Sequence, residues 1–345
     1  MKKILVTGGT GYIGSHTVVE LYEAGYTPII VDNLSNSNIG VLGQIEKITG
    51  KKPEFHNFDL CDERKVQDFV SSNPDIEGVI HFAAYKAVGE SVEKPLKYYH
   101  NNFFSLINLL NAFSAKPVNF VFSSSCTVYG QPDELPVTEA AEVKRAESPY
   151  GNTKQIAEEI LRESAASNSN FHILSLRYFN PVGAHKSALI GELPLGIPQN
   201  LVPFITQTAI GKREKITVYG DDYNTPDGSA IRDYIHVVDL AKAHVAAIQL
   251  LEQGGNNKNY DVFNIGTGKG SSVLEVINAF EKATGEKLNY QIGARRSGDI
   301  EKVWGDVSKS SKELGWKAEL DIEEMMRSAW AWEVYLKDVN PFDTE

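Results

Sequence analysis

The segment KILVTGGTGYIG, residues 3–14, decides the fold of this chain. Its apolar run, residues 4–6, stands immediately before three glycines, Gly8, Gly11 and Gly14, which open a helix-like stretch. A strand that turns directly into a helix needs glycine for the tight turn, for the close approach of a pyrophosphate and for packing of the helix on the strand. The pyrophosphate then lies on the free N–H groups at the start of that helix. The segment therefore predicts a dinucleotide-binding site, although the glycines alone would also fit an ordinary turn.

A carboxylate at the end of the second predicted strand indicates which dinucleotide binds. The next apolar run, residues 29–31, ends at Asp32, 18 residues after Gly14. A carboxylate in this place accepts hydrogen bonds from the adenosine ribose hydroxyls and repels a 2′-phosphate. With the strand, the helix, the second strand and Asp32 in register, the sequence favours NAD over NADP.

The composition excludes some classes of partner. The 345 residues include 45 acidic and 34 basic side chains, which gives a net charge of −11. Nucleic acids and anionic membranes are held mainly by dense Lys/Arg patches, which this chain lacks. A phosphorylated small molecule remains compatible with the charge, because a few well-placed arginines suffice to bind it. We therefore expect a small-molecule partner, no nucleic acid and no membrane.

Cysteine and histidine usage bears on location and on metals. Cys61 and Cys126 are the cysteines of the chain, too few for a disulfide framework. The apolar run near the start is too short for a signal peptide, and no window approaches the roughly 18 apolar residues of a membrane span. The eight histidines form no pair at metal-ligand spacing. We therefore expect a cytoplasmic protein that holds no metal.

Short apolar runs bounded by turn residues alternate with longer amphipathic stretches over the first half of the chain. The alternation predicts an α/β fold with a doubly wound, Rossmann-like parallel sheet and helices on both faces. The helix that starts at Pro149 has the clearest start signal, because Ser148 can cap it and proline suits its first position. The predicted strands are 3–7, 27–32, 54–57, 78–83, 119–124 and 172–178, and the predicted helices are 12–24, 63–71, 95–114 and 149–166.

The length of the chain predicts two lobes, because it exceeds the roughly 250–300 residues that one hydrophobic core usually serves. Proline and glycine become frequent after residue 180, as is typical of a loop-rich lobe that surrounds a ligand. We assign residues 1–179 to a dinucleotide-binding domain and residues 180–345 to a smaller, interleaved substrate lobe. The α/β patterns near residues 233–266 leave open a return of that stretch to the first domain.

Three side chains predict catalysis. Tyr150 and Lys154 lie four residues apart near the start of a predicted helix, so they share one face. An ammonium stabilises a phenolate, and we expect Lys154 to lower the pKa of Tyr150 and make it a base for a substrate hydroxyl. Ser125 follows a predicted strand at the carboxyl edge, where open α/β sheets bind ligands. By itself, the Tyr-x-x-x-Lys pair would also fit a solvated helix surface.

Several longer segments carry a resemblance to a known family. The chain resembles the extended short-chain dehydrogenases, and within them the UDP-galactose 4-epimerase family, over nearly its whole length. Together these segments are far more specific than any single motif. They are DNLSNS at 32–37, KAVGES at 86–91, SSSCTVYG at 123–130, LRYFNPVGAH at 176–185 and RDYIHVVDLA at 232–241.

The resemblance implies a residue-by-residue assignment of the site. The side chains or backbone that it implies for NAD are Gly8, Gly11, Tyr12, Ile13, Gly14, Asp32, Asn33, Asn36, Ser37, Asp59, Leu60, Phe82, Ala83, Lys86, Asn101, Tyr150, Lys154 and Tyr178. Those that it implies for a UDP-sugar are Lys86, Ser125, Tyr150, Asn180, Asn200, Leu201, Val218, Tyr219, Arg232, Arg296, Asp299 and Val303. Judged singly, the two arginines would also fit surface cations, and the two asparagines would also fit residues that cap their own turns.

The resemblance further implies a reaction and a homodimer. The reaction is NAD-dependent interconversion of UDP-galactose and UDP-glucose, by transient oxidation at C4 of the sugar to a 4-keto intermediate. Two alternatives stay open, a nucleotide-sugar 4,6-dehydratase and a catalytically silent NAD-binding regulatory protein on the same fold. The dehydratase needs an acidic pair where this chain has Cys126 and Thr127. The implied dimer packs through the predicted helices 95–114 and 149–166.

One position bears on the breadth of substrates. In the family, the residue that matches Val303 stands beside the 2-position of the sugar, where tyrosine goes with plain hexoses and smaller residues go with 2-acetamido sugars. Valine leaves room for an acetamido group, because a pocket rejects a larger ligand chiefly by steric overlap. We therefore expect activity on UDP-N-acetylglucosamine and UDP-N-acetylgalactosamine as well, unless Val303 packs away from the sugar as ordinary core.

Overall fold

The computed structural model describes residues 1–254, 258–296, 300–339 and 341–342, so Asp299 lies outside the described residues. The strands are β1 (Lys3–Thr7), β2 (Thr27–Asp32), β3 (Glu54–Asn57), β4 (Ile76–His81), β5 (Val118–Ser123), β6 (Phe171–Tyr178), β7 (Asn180–Val182), β8 (Ile216–Tyr219), β9 (Ile231–His236), β10 (Tyr260–Ile265), β11 (Gly270–Ser272), β12 (Tyr290–Gly293) and β13 (Lys302–Val303). The α-helices are α1 (Tyr12–Glu23), α2 (Val41–Thr49), α3 (Glu63–Ser72), α4 (Val88–Glu93), α5 (Pro95–Phe113), α6 (Pro149–Ser167), α7 (Leu201–Ala209), α8 (Val237–Glu252), α9 (Val273–Thr284) and α10 (Ile322–Val339).

A seven-stranded parallel sheet forms the centre of the molecule, in the order β3-β2-β1-β4-β5-β6-β10. The strand order reverses at β1, which has β2 on one side and β4 on the other. Ligands of such sheets bind outside the carboxyl ends of the strands at this switch point. The predicted doubly wound, Rossmann-like fold is confirmed, and each of the six strands predicted from the sequence is present.

Helices cover both faces of this sheet, because its strands alternate their side chains between two apolar cores. Along β1, Ile4 and Val6 pack into a core with α1 and α8, whereas Leu5 packs into a core with α3, α5 and α6. All three side chains are almost fully buried. Helix α6 starts as predicted, since the Ser148 side chain accepts a hydrogen bond from the Gly151 amide at 3.1 Å.

A second, smaller body of structure follows β6. A four-stranded sheet has the order β11-β9-β13, with β7 paired to β9, and β8 pairs with β12. Helices α7, α9 and α10 share an apolar core beside these strands. Strand β10 pairs with β6 in the large sheet, and α8 contacts α1. The boundary near residue 179 and the division into two lobes stay a prediction.

The turn from β1 into α1 has no room for a side chain at its third glycine, and this predicts the effect of a methyl group there. A Cβ on Gly14 would lie 2.2 Å from the carbonyl oxygen of Gly8. We expect Gly14→Ala to lower the free energy of unfolding by about 1–3 kcal/mol, because the backbone must shift.

The matched control is Gly43→Ala in α2, where a Cβ would meet no atom within 4 Å. Alanine should raise the free energy of unfolding there by about 0.5–1 kcal/mol through its helix propensity. Urea unfolding of both variants checks the pair. If Gly14→Ala proves as stable as Gly43→Ala, the steric account of the turn is wrong.

Candidate active site

The loop after β1 touches the loop after β4 at the switch point of the sheet. Gly8 adopts a φ of +70°, and a Cβ there would lie 2.8 Å from the amide nitrogen of Ala83. Gly11 is the N-cap residue of α1 and has no side chain with which to cap the first N–H groups of the helix. An anion of the size of a pyrophosphate fits a helix start of this kind. Tyr12 begins the helix, and its hydroxyl donates to the carbonyl oxygen of Gly183 at 2.6 Å.

Asp32 ends β2 beside this loop. One carboxylate oxygen accepts hydrogen bonds from the Leu34 amide at 2.9 Å and the Ser37 hydroxyl at 3.2 Å, and the other accepts one from the Thr10 amide at 3.3 Å. The Thr10 and Ser37 hydroxyls lie 2.7 Å apart. The carboxylate therefore fastens the loops after β1 and β2 to one another, and the structure brings Asp32 and Ser37 together as predicted.

Other residues predicted for the cofactor lie in loops after strands of the large sheet or on α1 and α5. Asn33 donates its side-chain amide to Asp59 at 3.2 Å, and the neighbouring Leu60 is buried. Asn101 on α5 donates to the Asn102 side chain at 2.9 Å. Asn36 is exposed, and Ile13, Phe82 and Ala83 are partly buried.

The three predicted catalytic side chains converge between β5 and α6. Tyr150 and Lys154 are buried on α6, with 7% and 4% of their surface exposed. Ser125 stands two residues after the end of β5, and its side chain is close enough to the Tyr150 phenol to favour a lower pKa of that group. The Ser125 oxygen also accepts hydrogen bonds from the amide and hydroxyl of Thr127, at 3.2 and 3.0 Å, so it caps the short 3-10 helix Cys126–Tyr129. The Tyr-Lys pair is therefore a buried arrangement and not a solvated surface pair.

Burial controls the electrostatics of the pair. It lowers the pKa of Lys154 to about 8, an effect that the Glu158 carboxylate opposes. The Lys154 ammonium donates to the carbonyl oxygen of Ser123 at 2.7 Å and lies 4.7 Å from the centre of the Phe122 ring. Burial raises the pKa of Tyr150 above its usual range, and the Tyr178 phenol adds to the rise. The predicted lowering of the Tyr150 pKa by Lys154 is thus wrong for the protein chain alone, because the lysine binds a carbonyl group and desolvation dominates.

Three rings, Tyr178, His244 and Phe82, form a row, with Tyr178 close to the Tyr150 phenol. Tyr178 at the end of β6 accepts a hydrogen bond from the Ser123 hydroxyl at 3.0 Å. Its ring centre lies 6.3 Å from that of His244, which in turn lies 4.6 Å from that of Phe82. His244 is fully buried, and sequence analysis missed it because an isolated histidine in an alanine-rich helix gives no signal.

The four-stranded sheet assembles part of the predicted sugar-nucleotide site. Arg232 on β9 stands beside Val303 on β13, and Asn180 on β7 stands beside Tyr234, two residues further along β9. Side chains two residues apart on a strand share a face, so Asn180, Arg232 and Val303 are on one face of the sheet. Val303 is 5% exposed and packs in an apolar cluster with Phe179.

A second group of predicted residues lies at the ends of β8 and α7. The Arg296 guanidinium lies 4.8 Å from the centre of the Tyr219 ring. Val218, which precedes Tyr219 on β8, is buried. Asn200 precedes Leu201 at the start of α7, and its side-chain amide donates to Glu192 at 2.7 Å. Asn200 thus does not cap its own turn.

Glu192 links the two halves of the site and was missed by sequence analysis. The same oxygen that accepts from Asn200 lies 3.5 Å from the Lys86 ammonium. Lys86 belongs to the loop that connects β4 of the large sheet to α4. A glutamate in a loop rich in proline and glycine carries no sequence pattern that would identify it.

Metal ligation and membrane insertion were the subject of two further sequence predictions. Within the described parts of the chain, no cluster of three or more His, Cys, Asp or Glu side chains has the arrangement to hold a metal ion. None of the helices that the structure describes is both long enough and apolar enough to cross a membrane.

The parallel sheet with its glycine turn and Asp32, together with buried Ser, Tyr and Lys at one strand edge, defines a short-chain dehydrogenase of the extended type. Residues 5–329 match the profile of the family described as GDP-mannose 4,6 dehydratase. The UDP-glucose 4-epimerase of Dictyostelium discoideum is 52% identical over 332 residues, which cover 96% of this chain and 95% of that protein. The chain belongs to the UDP-glucose 4-epimerases of the extended short-chain dehydrogenase family.

Solved structures agree with this assignment. The UDP-glucose 4-epimerase from Stenotrophomonas maltophila, crystallised with NAD and formylated UDP-arabinopyranose, is 46% identical with a TM-score of 0.93, covering 98% of this chain and 99% of that one. The UDP-glucose 4-epimerase from Bifidobacterium longum, in complex with NAD+ and UDP, is 48% identical with a TM-score of 0.91, covering 99% of this chain and 100% of that one.

The position of Asp32 predicts the choice of cofactor. Asp32→Asn keeps an oxygen that accepts the Leu34 amide and removes the negative charge that repels a 2′-phosphate. We expect the ratio of NAD to NADP affinity to fall by about tenfold or more, which corresponds to about 1.4 kcal/mol. Titration of both cofactors onto cofactor-free protein measures it.

The matched control for Asp32 is Asp75→Asn. Asp75 lies just before the start of β4, at the opposite edge of the sheet, where it pairs with Lys3 at 2.7 Å. This variant loses the same charge and should keep the parent's preference. An unchanged preference in Asp32→Asn would mean that Asp32 does not adjoin the ribose.

Proposed function

We propose that this protein interconverts UDP-galactose and UDP-glucose, using NAD as a cofactor that is regenerated in each cycle. The observation that carries the proposal is the convergence of Ser125, Tyr150 and Lys154 at the carboxyl edge of the same sheet that carries the glycine turn and Asp32. The identity of about half with UDP-glucose 4-epimerases over nearly the whole chain supports the same reaction. The reaction belongs to galactose metabolism.

The residues of the large sheet fit NAD. The turn is a cradle in which a Cβ at Gly8 or Gly14 would meet backbone atoms, and Asp32 presents the carboxylate that suits a ribose. We assign the NAD site to the residues that the resemblance implies, from Gly8 through Tyr178. When bound, NAD supplies a hydride acceptor and donor at its nicotinamide ring.

Tyr150 is the proposed acid and base. As a phenolate it takes the proton of the sugar 4-hydroxyl, and as the phenol so formed it returns that proton later in the cycle, while Ser125 donates a hydrogen bond that favours the phenolate. The Lys154 ammonium adds a positive charge on the same helix face. Since burial holds the Tyr150 pKa high, the phenol keeps its proton at neutral pH until positive charge gathers beside it.

Cationic and amide side chains grip the other end of the substrate in this proposal. Arg232 and Arg296 fork onto the diphosphate by charge-assisted hydrogen bonds, and Asn180 and Asn200 donate beside them. The uracil lies against the backbone near Val218 and Tyr219. Asp299 belongs to the same proposed set, although it is not among the residues that the structure describes. A firm grip on the diphosphate leaves the sugar free to turn over between its two oxidation steps.

The 4,6-dehydratase alternative is not favoured. That reaction eliminates water with an acidic pair, and this chain has Cys126 and Thr127 at those positions. Burial raises the pKa of the Cys126 thiol to about 12, and the Thr127 hydroxyl donates to Ser125. Neither side chain can act as the missing carboxylate.

We further propose a cytoplasmic homodimer that packs through α5 and α6. These helices contact one another, and α5 exposes large apolar side chains: Leu96 is 80% exposed, Phe104 49% and Ile107 36%. Light scattering should give twice the mass of one chain, and a monomer would contradict the dimer.

The proposed cytoplasmic location agrees with the state of the cysteines. Both are free thiols, as a reducing compartment requires. Recovery from a compartment other than the cytoplasm on cell fractionation would contradict the location.

The role of Tyr150 predicts the behaviour of Tyr150→Phe. The variant should keep its NAD, because the ring still fills the same buried space. It should lose about 10² to 10⁴ in turnover, the usual worth of a positioned proton transfer. The conversion of UDP-galactose by purified enzyme measures this.

The control for that experiment is Tyr290→Phe, since Tyr290 is exposed on β12. It should turn over like the parent. Near-parental epimerisation by Tyr150→Phe would contradict the assignment of Tyr150 as acid and base.

Val303 predicts the breadth of substrates. It shares a face with Arg232 and Asn180, and its isopropyl group leaves space for an acetamido group on the sugar. We propose activity on UDP-N-acetylglucosamine and UDP-N-acetylgalactosamine, and expect Val303→Tyr to suppress it while sparing UDP-galactose. Parallel assays of both substrate classes test this. Absence of N-acetyl activity in the parent, while UDP-galactose turns over, would overturn the idea.

A further inference from the structure

Helix α6 carries a third buried functional group on the face of Tyr150 and Lys154. Glu158 lies four residues after Lys154, and 7% of its surface is exposed. Residues four apart on a helix are neighbours on its surface, so the phenol, the ammonium and the carboxylate follow one another along a single stripe. A carboxylate is rarely buried to this degree unless it is paired and hydrogen-bonded.

The partners of Glu158 adjoin the other two residues of the site. One carboxylate oxygen accepts a hydrogen bond from the Ser124 hydroxyl at 2.5 Å, and Ser124 directly precedes Ser125. Arg177, which directly precedes Tyr178, donates its Nε to that oxygen at 3.0 Å and its Nη2 to the other at 2.6 Å. One carboxylate thus joins α6 to the end of β6 and to the segment that follows β5. Each of these three parts also carries a proposed site residue: Lys154 on α6, Tyr178 on β6 and Ser125 after β5.

This arrangement does more than hold a helix on a sheet. Ser124 and Arg177 are buried as well, and the Arg177 guanidinium lies 4.8 Å from the centre of the Tyr129 ring. A buried ion pair is weak evidence for stability, because well-packed apolar residues often serve as well in its place. Hydrogen bonds add direction, which an apolar contact between the same elements would not supply.

The carboxylate also adjoins the charge of Lys154. Around that ammonium stand Tyr150 and Glu158 from α6, Phe122 and the Ser123 carbonyl group from β5, and His81 from β4. His81 is neutral, because burial lowers its pKa to about 3. Glu158 opposes the desolvation of Lys154, whose pKa burial lowers to about 8.

We propose that Glu158 is a positioning residue for the reaction, which aligns Ser125 and Tyr178 with α6 and places a buried negative charge one helical turn from Lys154. It acts through these residues and not on the substrate. The inference rests on the proposed function, because the aligned residues are those assigned to the epimerisation.

The test uses the purified enzyme with its NAD and compares the high-pH limb of kcat for UDP-galactose among variants. Glu158→Gln removes the charge and keeps the shape. Glu158→Gln with Arg177→Met also removes the guanidinium that would otherwise be left unpaired, so a stable form without the charge is available. Glu158→Asp keeps the charge on a shorter side chain.

The matched control is Glu333→Gln. Glu333 is another buried carboxylate, 4% exposed, which accepts from Thr206 at 3.0 Å and Lys212 at 2.8 Å in the second body. Its loss removes a buried charge of the same kind, away from α6. Thermal unfolding and NAD content show whether each variant is folded and loaded.

We expect both variants without the Glu158 charge to lose activity at a pH lower by about one unit, because a nearby opposite charge raises a lysine pKa by that order. In Glu158→Asp and Glu333→Gln, kcat should fall at the same high pH as in the parent. If the limb of the double variant coincides with that of the parent, Glu158 is merely structural and the proposal fails.

A second readout separates this proposal from the proposed function. The pKa of Lys154 can be followed by NMR of ¹³C-labelled lysine, with its signal assigned by loss in Lys154→Met. It should fall in Glu158→Gln/Arg177→Met and stay in Glu333→Gln, and an unchanged value would overturn the proposal. Failure of the parent to convert UDP-galactose would instead contradict the proposed function, whatever the titration shows.

Discussion

The contact between the Gly8 carbonyl group and Gly14 is the constraint on which the rest of the structure depends. It allows α1 to start within a few residues of β1, with a Cβ-free turn against the loop after β4. Because the turn is this tight, the helix start and the carboxylate of Asp32 lie side by side at the switch point of the sheet. The two sides of the site, from the large sheet and from the four-stranded sheet, are arranged around that point.

Burial sets the chemistry at the next strand edge. Tyr150 and Lys154 are removed from water together, so the phenol is a weaker acid and the ammonium a stronger acid than in solution. Such a pair favours neutral forms, and positive and negative charges near it therefore have large effects. Glu158 acts on this small, dry space from the same helix. This sensitivity suits a residue that must take a proton and later return it.

Local patterns in the sequence were sufficient for much of this. The glycine spacing, Asp32 and the Ser148-Pro149 start signal correctly predict β1, α1, β2 and α6, because each depends on neighbours in the chain. Helix α2 was missed, since it is short and contains Gly43. Glu158, Glu192 and His244 were missed because their partners come from other elements. Arg177, the partner of Glu158, and Lys86, the partner of Glu192, are remote from them along the chain. The direction of the Tyr150 pKa was wrong for the same reason, as burial is not visible in a Tyr-x-x-x-Lys spacing.

The central claim is that one chain holds NAD tightly enough to oxidise and reduce the same sugar within a single binding event. The most direct measurement is the conversion of UDP-galactose by purified enzyme with no added cofactor, followed by denaturation and quantification of the released dinucleotide. The account predicts UDP-glucose as product, roughly one NAD per chain, and no net accumulation of reduced cofactor. A protein that carries NAD but leaves UDP-galactose unchanged, or that accumulates reduced cofactor in step with product, would contradict it.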